Sequence, residues 1–316
     1  MRIVVALGGN ALLRRGESME QAAQERNVAV AVRALAALAA DHELVVTHGN
    51  GPQVGMLALA HEASGAVQPY SLDVVGAESQ GMIGFLLEEA LRQALPAREV
   101  ATLLTQVLVD RADPAFAHPT KPIGRVYGEA EARRLAAERG WAVAPDGDGY
   151  RRVVSSPRPR RVLELAAIRV LVDHGVLVIC AGGGGVPVVA ERGRSYYGVE
   201  AVVDKDLTAA LLAYELHADL LLLLTDVAAV ERGWQTPEAR AIRAVTPLAL
   251  RSERFDAGTM GPKVDAACSF VERTGKRAAI GALADARELV LGRVGTAVVP
   301  EGITPMSFWD EVVRPR

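Results

Sequence analysis

Apolar runs that end directly in glycine-rich or polar turns recur along this 316-residue chain. An apolar run of this length is typical of a buried strand, and a glycine turn behind it leaves backbone N–H groups free to hold an anion. Four such pairs stand in the sequence: residues 2–7 before Gly8, Gly9 and Asn10; 44–48 before Gly49, Asn50 and Gly51; 176–181 before Gly182, Gly183 and Gly184; and 220–224 before Thr225, Asp226 and Val227. If these strands are parallel neighbours, their turns gather at one edge of the sheet, where ligands of open α/β folds bind.

Helical patterns separate the apolar runs. Valine and leucine recur at helical spacing from Met19 to Ala40, which makes the first unit strand–helix–strand, long enough for a parallel, right-handed crossover. Strands and helices continue to alternate, so we predict an α/β fold with a largely parallel sheet. The remaining predicted helices are 73–95, 163–174, 207–217 and 264–273, and the remaining predicted strands are 100–109, 277–281 and 297–299.

Residues 111–161 interrupt this alternation with six prolines and many charges. We interpret the segment as a small excursion from the sheet, and an excursion of this size usually has a functional reason. Short strands are predicted at Val126-Tyr127, at 141–143 and at Val153-Val154, with a short helix over residues 129–139.

Composition excludes several classes of function. The net charge is only −3 and aromatic residues make up 4%, which argues against a nucleic-acid-binding module. No segment approaches the roughly 20 apolar residues of a membrane span. The two cysteines, Cys180 and Cys268, have no metal-ligand spacing, and we expect buried thiols in a cytoplasmic protein.

The candidate chemistry lies in lysines next to turns. In Asp204-Lys205-Asp206, Lys205 could meet phosphate oxygens while Asp206 holds it or helps to position a metal; alternatively this is a solvated turn in which Asp206 caps a helix. Lys263 stands at a helix start, where a cation opposes the helix dipole unless an anion binds there. Lys121 lies between two prolines that would restrict its backbone, although it could equally be an ordinary loop lysine.

The glycine turns by themselves do not distinguish phosphate cradles from sharp corners. They lack the spacing of a dinucleotide fingerprint, and no P-loop motif occurs in the chain. His48, beside Gly49, is better explained as a structural residue, because no serine, cysteine or metal-ligand partner accompanies it.

Taken together, the motifs are those of one family. The segments VVALGGNALL, VVTHGNGPQVG, AESQGMIGFLL, TKPIG, ICAGGGGVPVV, VVDKDLTAALLA, LLTDV and GTMGPK resemble the carbamate kinases of the amino acid kinase superfamily, in the same order over nearly the whole chain. The resemblance implies a three-layer αβα sandwich with a central sheet of about eight mostly parallel strands, usually as a homodimer. It also implies a carbamate-binding N-terminal lobe (1–203) with a small protruding subdomain (111–157), and a nucleotide-binding C-terminal lobe (204–316).

The resemblance also assigns roles to residues. Related kinases carry a lysine two positions before the first glycine, whereas carbamate kinases and this chain, with Ala6, lack it and take the cation from the TKPIG loop. The implied catalytic residues are Lys121, Lys205, Asp206 and Lys263. The implied substrate cradle is Gly8, Gly9, Asn10, Gly49, Asn50 and Gly51, and the implied nucleotide contacts are Gly182, Gly183, Gly184, Thr225, Asp226, Val227, Met260, Gly261 and Lys263. Mg²⁺ would be held mainly by phosphates, with Asp204 or Asp206 as candidate ligands.

The predicted function is reversible phosphoryl transfer between ATP and carbamate, giving ADP and carbamoyl phosphate without a covalent intermediate. Two alternatives stay open at this point: a kinase of the same fold acting on another small acid, and a nucleotide-binding sensor. Ala228, where the family often has aspartate, is the feature that favours the sensor. The resemblance further suggests a role in arginine metabolism.

Overall fold

The computed structural model describes residues 1–9, 12–13, 17, 20–63, 70–191, 194–255, 260–300 and 305–311. Their strands are β1 (Arg2–Leu7), β2 (Glu43–His48), β3 (Val100–Thr102), β4 (Gln106–Val109), β5 (Lys121–Tyr127), β6 (Ala142–Asp146), β7 (Gly149–Val154), β8 (Pro159–Val162), β9 (Leu177–Ile179), β10 (Val186–Glu191), β11 (Arg194–Gly198), β12 (Leu220–Thr225), β13 (Glu231–Arg232), β14 (Arg240–Val245), β15 (Ala278–Ala282), β16 (Thr296–Val298) and β17 (Met306–Phe308).

The helices alternate with these strands through most of the chain. They are α1 (Gln21–Ala39), α2 (Gly51–Ala63), α3 (Leu72–Ala94), α4 (Glu129–Arg139), α5 (Leu165–Asp173), α6 (Lys205–Glu215), α7 (Pro247–Arg251), α8 (Met260–Thr274) and α9 (Ala286–Val290), with 3-10 turns at Pro114–Phe116, Gly182–Gly184, Leu283–Asp285 and Trp309–Glu311.

A ten-stranded central sheet has the order β13-β14-β16-β15-β12-β1-β2-β9-β3, with β17 added against β14. The six strands from β15 to β3 are parallel to one another, and antiparallel pairs occur at β15/β16, β13/β14 and β14/β17. The predicted mostly parallel sheet is therefore confirmed, with more strands than expected because short strands were not recognised around β14.

Both faces of the sheet are covered by helices. Along β1, Val4 and Ala6 belong to one buried cluster with residues of α5, α6 and α8, while Ile3, Val5 and Leu7 belong to the other with residues of α1, α3 and α9. Burial on both faces explains why the strand sequences are continuously apolar instead of alternating. The α/β fold class with three layers is confirmed.

The four strands with glycine or polar turns are adjacent, in the order β12-β1-β2-β9. Their carboxyl ends are tied by backbone hydrogen bonds from Gly8 N to Leu224 O (3.0 Å), from Gly49 N to Leu7 O (3.0 Å) and from Cys180 N to Val46 O (2.9 Å). The turns therefore lie side by side at one edge of the sheet, as the sequence predicted.

The predicted single strand over 100–109 is wrong. Buried Gln80 on α3 accepts from Thr105 N (3.1 Å) and donates to Thr105 O (3.1 Å), so the backbone at Thr105 cannot pair with the central sheet. The chain divides there into β3, which belongs to the central sheet, and β4, which belongs to a four-stranded sheet of order β11-β10-β4-β8.

Residues 121–154 form a separate antiparallel sheet of order β5-β7-β6, with α4 between β5 and β6. The helix predicted over 129–139 and the short strands predicted in this segment are confirmed, although β6 begins at Ala142 rather than at Trp141. Helix α2, which the sequence analysis did not recognise, packs on β5. A Cβ at Gly55 of α2 would stand 1.9 Å from Gly124 Cα, so the two backbones are in direct contact.

The other predicted elements are present with shifts of a few residues at their ends, and Met19 lies outside the described residues. The two lobes predicted to meet at 203/204, and the subdomain limits 111 and 157, stay predictions. Within the described part of the chain, no helix is long and apolar enough to cross a membrane.

Candidate active site

Asp206 is the centre of a buried charge cluster. Lys205 Nζ donates to its Oδ1 (2.8 Å) and Oδ2 (2.9 Å), and Lys263 Nζ donates to Oδ2 (3.0 Å). Lys205 and Asp206 begin α6, whereas Lys263 is on α8, and these two helices pack against each other. One carboxylate therefore holds two ammonium groups that come from positions 58 residues apart in the sequence.

Asp204 adds a second carboxylate beside the first. Its Oδ1 accepts from Asp206 N (2.9 Å) and Leu207 N (3.3 Å), which makes Asp204 the N-cap of α6. Its Oδ2 accepts from Lys121 Nζ, at the start of β5. Asp204 thus connects the helix that carries Lys205 to the three-stranded sheet that carries Lys121.

Two interpretations made from the sequence need correction. The helix cap is Asp204, not Asp206, because α6 begins two residues earlier than the apolar pattern suggested. Lys263 lies in the first turn of α8, as expected, but the carboxylate of Asp206 already compensates its unfavourable position in the helix dipole. Its placement therefore does not by itself require a bound anion.

The charges in the cluster change one another's protonation. Burial alone would raise the pKa of Asp204, but Lys121, Lys205 and Lys263 together hold it far below its usual range. Burial likewise opposes ionisation of Asp206, and the two neighbouring lysines lower its pKa. Both carboxylates are ionised at neutral pH.

The two buried lysines differ. Burial lowers the pKa of Lys205 to about 8, in spite of Asp206, and the charge of Lys263 adds to the decrease. For Lys263, burial also disfavours the charged form, but the attraction of Asp206 outweighs it and raises the pKa. Lys205 is therefore the cation of the pair that loses its proton first.

The first two glycine turns lie against each other and against the cluster. A Cβ at Gly49 would meet Gly9 N at 2.9 Å and the Cδ of Lys205 at 3.5 Å, and a Cβ at Gly8 would meet Leu224 O at 3.1 Å. The stem of Lys205 therefore passes directly beside the turn after β2. The structure brings Gly8, Gly9 and Gly49 to the lysines, while Asn10 lies outside the described residues.

Gly51 begins α2 and faces β5, since a Cβ there would be 3.8 Å from Pro122 O. The Asn50 side chain is buried and its Nδ2 donates to Ser79 Oγ (2.7 Å) on α3. This bond ties the turn after β2 to α3, and a contact of Asn50 with substrate stays a prediction.

The tetraglycine segment has a packing reason for its composition. Gly182, Gly183 and Gly184 are buried, Gly183 has a φ of +64°, and a Cβ on it would stand 2.0 Å from Asn50 Nδ2. Thr208 on α6 also donates to Gly184 O (2.9 Å). These glycines act as a sharp corner behind the site, and their assignment to nucleotide binding stays a prediction.

His48 is also part of this packing. It is completely buried, a Cβ at Gly182 would stand 2.4 Å from its Nε2, and burial lowers its pKa to about 4. A neutral, enclosed imidazole agrees with the structural role predicted for it.

The other predicted nucleotide contacts lie at the neighbouring strand end and at the start of α8. Thr225 is the last residue of β12 and donates through Oγ1 to Asp226 Oδ1 (3.1 Å), with Val227 following. Met260 and Gly261 open α8, in the same turn as Lys263. Residues 258 and 259 of the GTMGPK motif lie outside the described residues.

The cluster fits phosphate better than it fits a protein-bound metal. Within the described residues, no group of three or more His, Cys, Asp or Glu side chains could hold a metal ion. All four carboxylate oxygens of Asp204 and Asp206 already accept hydrogen bonds. That Mg²⁺ is held mainly by phosphates, with Asp204 or Asp206 as candidate ligands, stays a prediction.

Sequence reasoning did not find the role of Asp204 as a joint cap and lysine partner, nor the contact between Gly55 and Gly124. An aspartate directly before a helix is a common cap, so the first signal was available. A glycine inside a helix lowers the stability of that helix, so its presence suggests that another part of the backbone approaches closely. Gly55 is a glycine of this kind.

A family model described as Amino acid kinase family matches residues 1–282. The chain belongs to the amino acid kinase family. The family predicted from the motifs is therefore confirmed. Among curated members, it is 54% identical to the carbamate kinase of Rhizobium meliloti (strain 1021), covering 100% of this chain and 98% of that protein. It is 46% identical to the carbamate kinase of Pyrococcus furiosus, covering 95% of this chain and 99% of that protein.

Solved structures are also similar to this chain. The structure of carbamate kinase from Giardia lamblia bound to AMP-PNP has a TM-score of 0.85 and 40% identity, covering 95% of this chain and 98% of that chain. The UMP kinase from Bacillus anthracis has a TM-score of 0.54 at 14% identity, which is a likeness of fold alone.

Proposed function

We propose that this chain is a carbamate kinase that transfers a phosphoryl group reversibly between ATP and carbamate, giving ADP and carbamoyl phosphate. The observation that carries the proposal is the meeting of Lys121, Lys205 and Lys263 beside the turns after β1 and β2. The sequence identity to carbamate kinases over essentially the whole chain supports the choice of acceptor.

The barrier to this transfer is largely electrostatic. Carbamate is an anion, and it must approach a γ-phosphoryl group that is itself anionic, so positioning and charge stabilisation dominate catalysis. Lys205 and Lys263 are held in place by Asp206 before any ligand arrives, and their remaining N–H groups can donate to phosphoryl oxygens. Preorganised donors of this kind avoid reorganisation during the reaction.

Ala6 explains why a third cation comes from elsewhere. It is completely buried in β1, between Thr47 and Leu223 of the neighbouring strands, so the first strand offers no charge to the site. Lys121 supplies that charge from β5, and Asp204 directs it towards the cluster.

No general base is required, since carbamate already carries the nucleophilic oxygen as an anion. The neutral, buried His48 is consistent with a mechanism that uses no general base. Mg²⁺ bound to the nucleotide phosphates would neutralise part of their charge. Lys121, Lys205, Lys263 and the backbone of Gly8, Gly9 and Gly49 would orient the two substrates, and the segments 225–227 and 260–261 would contact the nucleotide.

A direct assay tests the proposal. Purified protein given ADP, Mg²⁺ and carbamoyl phosphate should form ATP far faster than the same mixture without protein. A rate no greater than that of the mixture alone overturns the proposal. Offering ATP with a panel of other small acids in the forward direction should give no comparable turnover; a better acceptor than carbamate would move the assignment to another kinase of this fold.

The homodimer, the cytoplasmic location and the role in arginine metabolism are further parts of this proposal. They rest on the resemblance to carbamate kinases. Size-exclusion chromatography with light scattering tests the first of them, since a dimer has twice the mass of the 33.5 kDa chain.

A further inference from the structure

Gln53 is a completely buried amide side chain in the first turn of α2. It stands three residues after Asn50, within the segment VVTHGNGPQVG. Val54 N donates to Asn50 O (2.9 Å), so the helix continues directly from the turn after β2. Whatever holds Gln53 in place therefore also holds a turn that lies beside the lysine cluster.

The partner of Gln53 is a second buried amide on another helix. Gln53 Nε2 donates to Gln24 Oε1 of α1 (3.2 Å), and Gln24 is 6% exposed. Gln53 Oε1 accepts no hydrogen bond from the part of the chain that the structure describes. Burying an amide oxygen without a donor costs free energy, which a pair of apolar side chains of the same size would avoid. Stability alone therefore does not explain this pair of amides.

The same face of α1 also holds the turn after β1. Asn27 lies three residues beyond Gln24 on α1, so the two side chains are neighbours. Asn27 Nδ2 donates to Leu12 O (3.4 Å), and Leu12 N donates to Gly9 O (3.0 Å). Helix α1 is thus a common support: one amide reaches the turn after β1, and another reaches the helix that follows the turn after β2.

The two turns are in direct contact, so their relative position is sensitive to any shift of α2. A Cβ at Gly49 would stand 2.9 Å from Gly9 N. A hydrogen bond fixes both the separation and the orientation of its partners, whereas contact between apolar side chains has no preferred direction. The amide pair can therefore define the place of α2 more closely than apolar packing would.

We propose that Gln53, through its hydrogen bond to Gln24, is a positioning residue that holds the turn after β2 against the turn after β1. The inference rests on the proposed function, in which these two turns receive carbamate or carbamoyl phosphate. Gln53 itself is completely buried and acts through the turn, not by touching the substrate.

A cycle of three variants separates positioning from packing. Gln53→Met and Gln24→Met each leave one buried amide without its partner, so each should lower the midpoint of denaturant unfolding. The double variant replaces both amides by apolar side chains of similar size, and its midpoint should return to the wild-type value or exceed it. A pair that served packing alone would recover its activity together with its stability.

Positioning predicts that activity does not recover. In ATP formation by the double variant, kcat/KM for carbamoyl phosphate should be about ten- to a hundredfold below wild type, because a small displacement of a substrate-holding group is costly. KM for ADP should change by less than about twofold, since the proposed nucleotide contacts lie at the end of β12 and the start of α8. Gln21→Met on α1 is the control: it removes an exposed hydrogen bond to Glu25 and should keep wild-type kinetics.

Hydrogen exchange gives a measurement that does not depend on turnover. The Val54 amide, which donates to Asn50 O, reports on the junction between the turn and α2. In the double variant it should exchange about tenfold faster than in the wild type, although the global stability is retained. The amides of α6 should exchange at the wild-type rate.

Three results would overturn the proposal: the double variant regains wild-type kcat/KM, its Val54 amide exchanges at the wild-type rate, or it does not fold, since the pair would then serve stability. If the wild-type protein itself forms no ATP, the proposed function fails. In that case the exchange of the Val54 amide decides by itself whether Gln53 positions the turn.

Discussion

Lys205 and Lys263 lie on two helices of the main fold, whereas Lys121 lies on a strand of a separate three-stranded sheet. The first two side chains are each 10% exposed and share Asp206; the third is 25% exposed and meets Asp204. The difference indicates two kinds of preorganisation. The helix lysines are fixed by the packing of α6 on α8, while Lys121 is in place only when β5 is docked on α2.

The largest expected effect is on the buried pair. Asp206→Ala leaves two buried ammonium groups without their shared acceptor, so we expect the free energy of unfolding to fall by about 3–5 kcal/mol. Denaturant unfolding at neutral pH measures this. A loss below about 1 kcal/mol would mean that the cluster is well hydrated in solution.

A triple variant sharpens that result. Replacing Asp206 and its two lysine partners by apolar residues, with Lys205→Met, Asp206→Leu and Lys263→Met, removes these three buried charges together and leaves Asp204 paired with Lys121. Such replacements are often neutral for stability. We expect a folded protein without phosphoryl transfer. This would separate the role of the cluster in chemistry from its role in folding.

The second prediction concerns Lys121. Lys121→Ala should lower turnover by about 10²–10³, the usual effect of removing one preorganised group that stabilises transition-state charge. Its effect on stability should be smaller than that of Asp206→Ala, because α6 keeps its Asp204 cap. Lys276→Ala, which removes an exposed lysine paired with Asp219, is the control and should keep wild-type kinetics. Equal turnover in the two variants would mean that Lys121 takes no part in phosphoryl transfer.

The third prediction tests the docking of β5. In Gly55→Ala the new methyl group meets the backbone of Gly124, which cannot move aside as a side chain could. We expect β5 to separate slightly from α2 and turnover to fall by about ten- to a hundredfold, since a displacement near 1 Å can cost 10²-fold.

Gly81→Ala on α3 is the matched control, because a Cβ there meets nothing within 4 Å. It should leave turnover unchanged and stabilise the helix by about 0.5–1 kcal/mol. If Gly55→Ala behaves in the same way, the position of Lys121 does not depend on this contact.

The smallest expected effect is a dependence of kcat/KM on pH that comes from the buried lysine pair. With a pKa of about 8, Lys205 loses its charge as pH rises through that value, so kcat/KM should fall about fourfold between pH 7 and pH 8.5. Steady-state kinetics across this range measure it. Lys205→Arg, whose guanidinium stays protonated, should show a lower rate without this decline; an identical decline would assign the titration to another group.

The sequence determined the α/β class and the gathering of turns at one sheet edge. Continuous apolar runs specify strands buried on both faces, and helical spacing between them specifies parallel crossovers. It also indicated the three lysines as candidates, because Lys121 lies between two prolines, Lys205 lies in a turn and Lys263 stands at a helix start.

Tertiary structure decided which groups meet. That Asp206 serves Lys263 as well as Lys205, that Asp204 pairs with Lys121, and that the chain divides at Thr105 all follow from contacts between residues distant in sequence. Local patterns specify a residue's own element, but the partner of a buried charge depends on how elements pack.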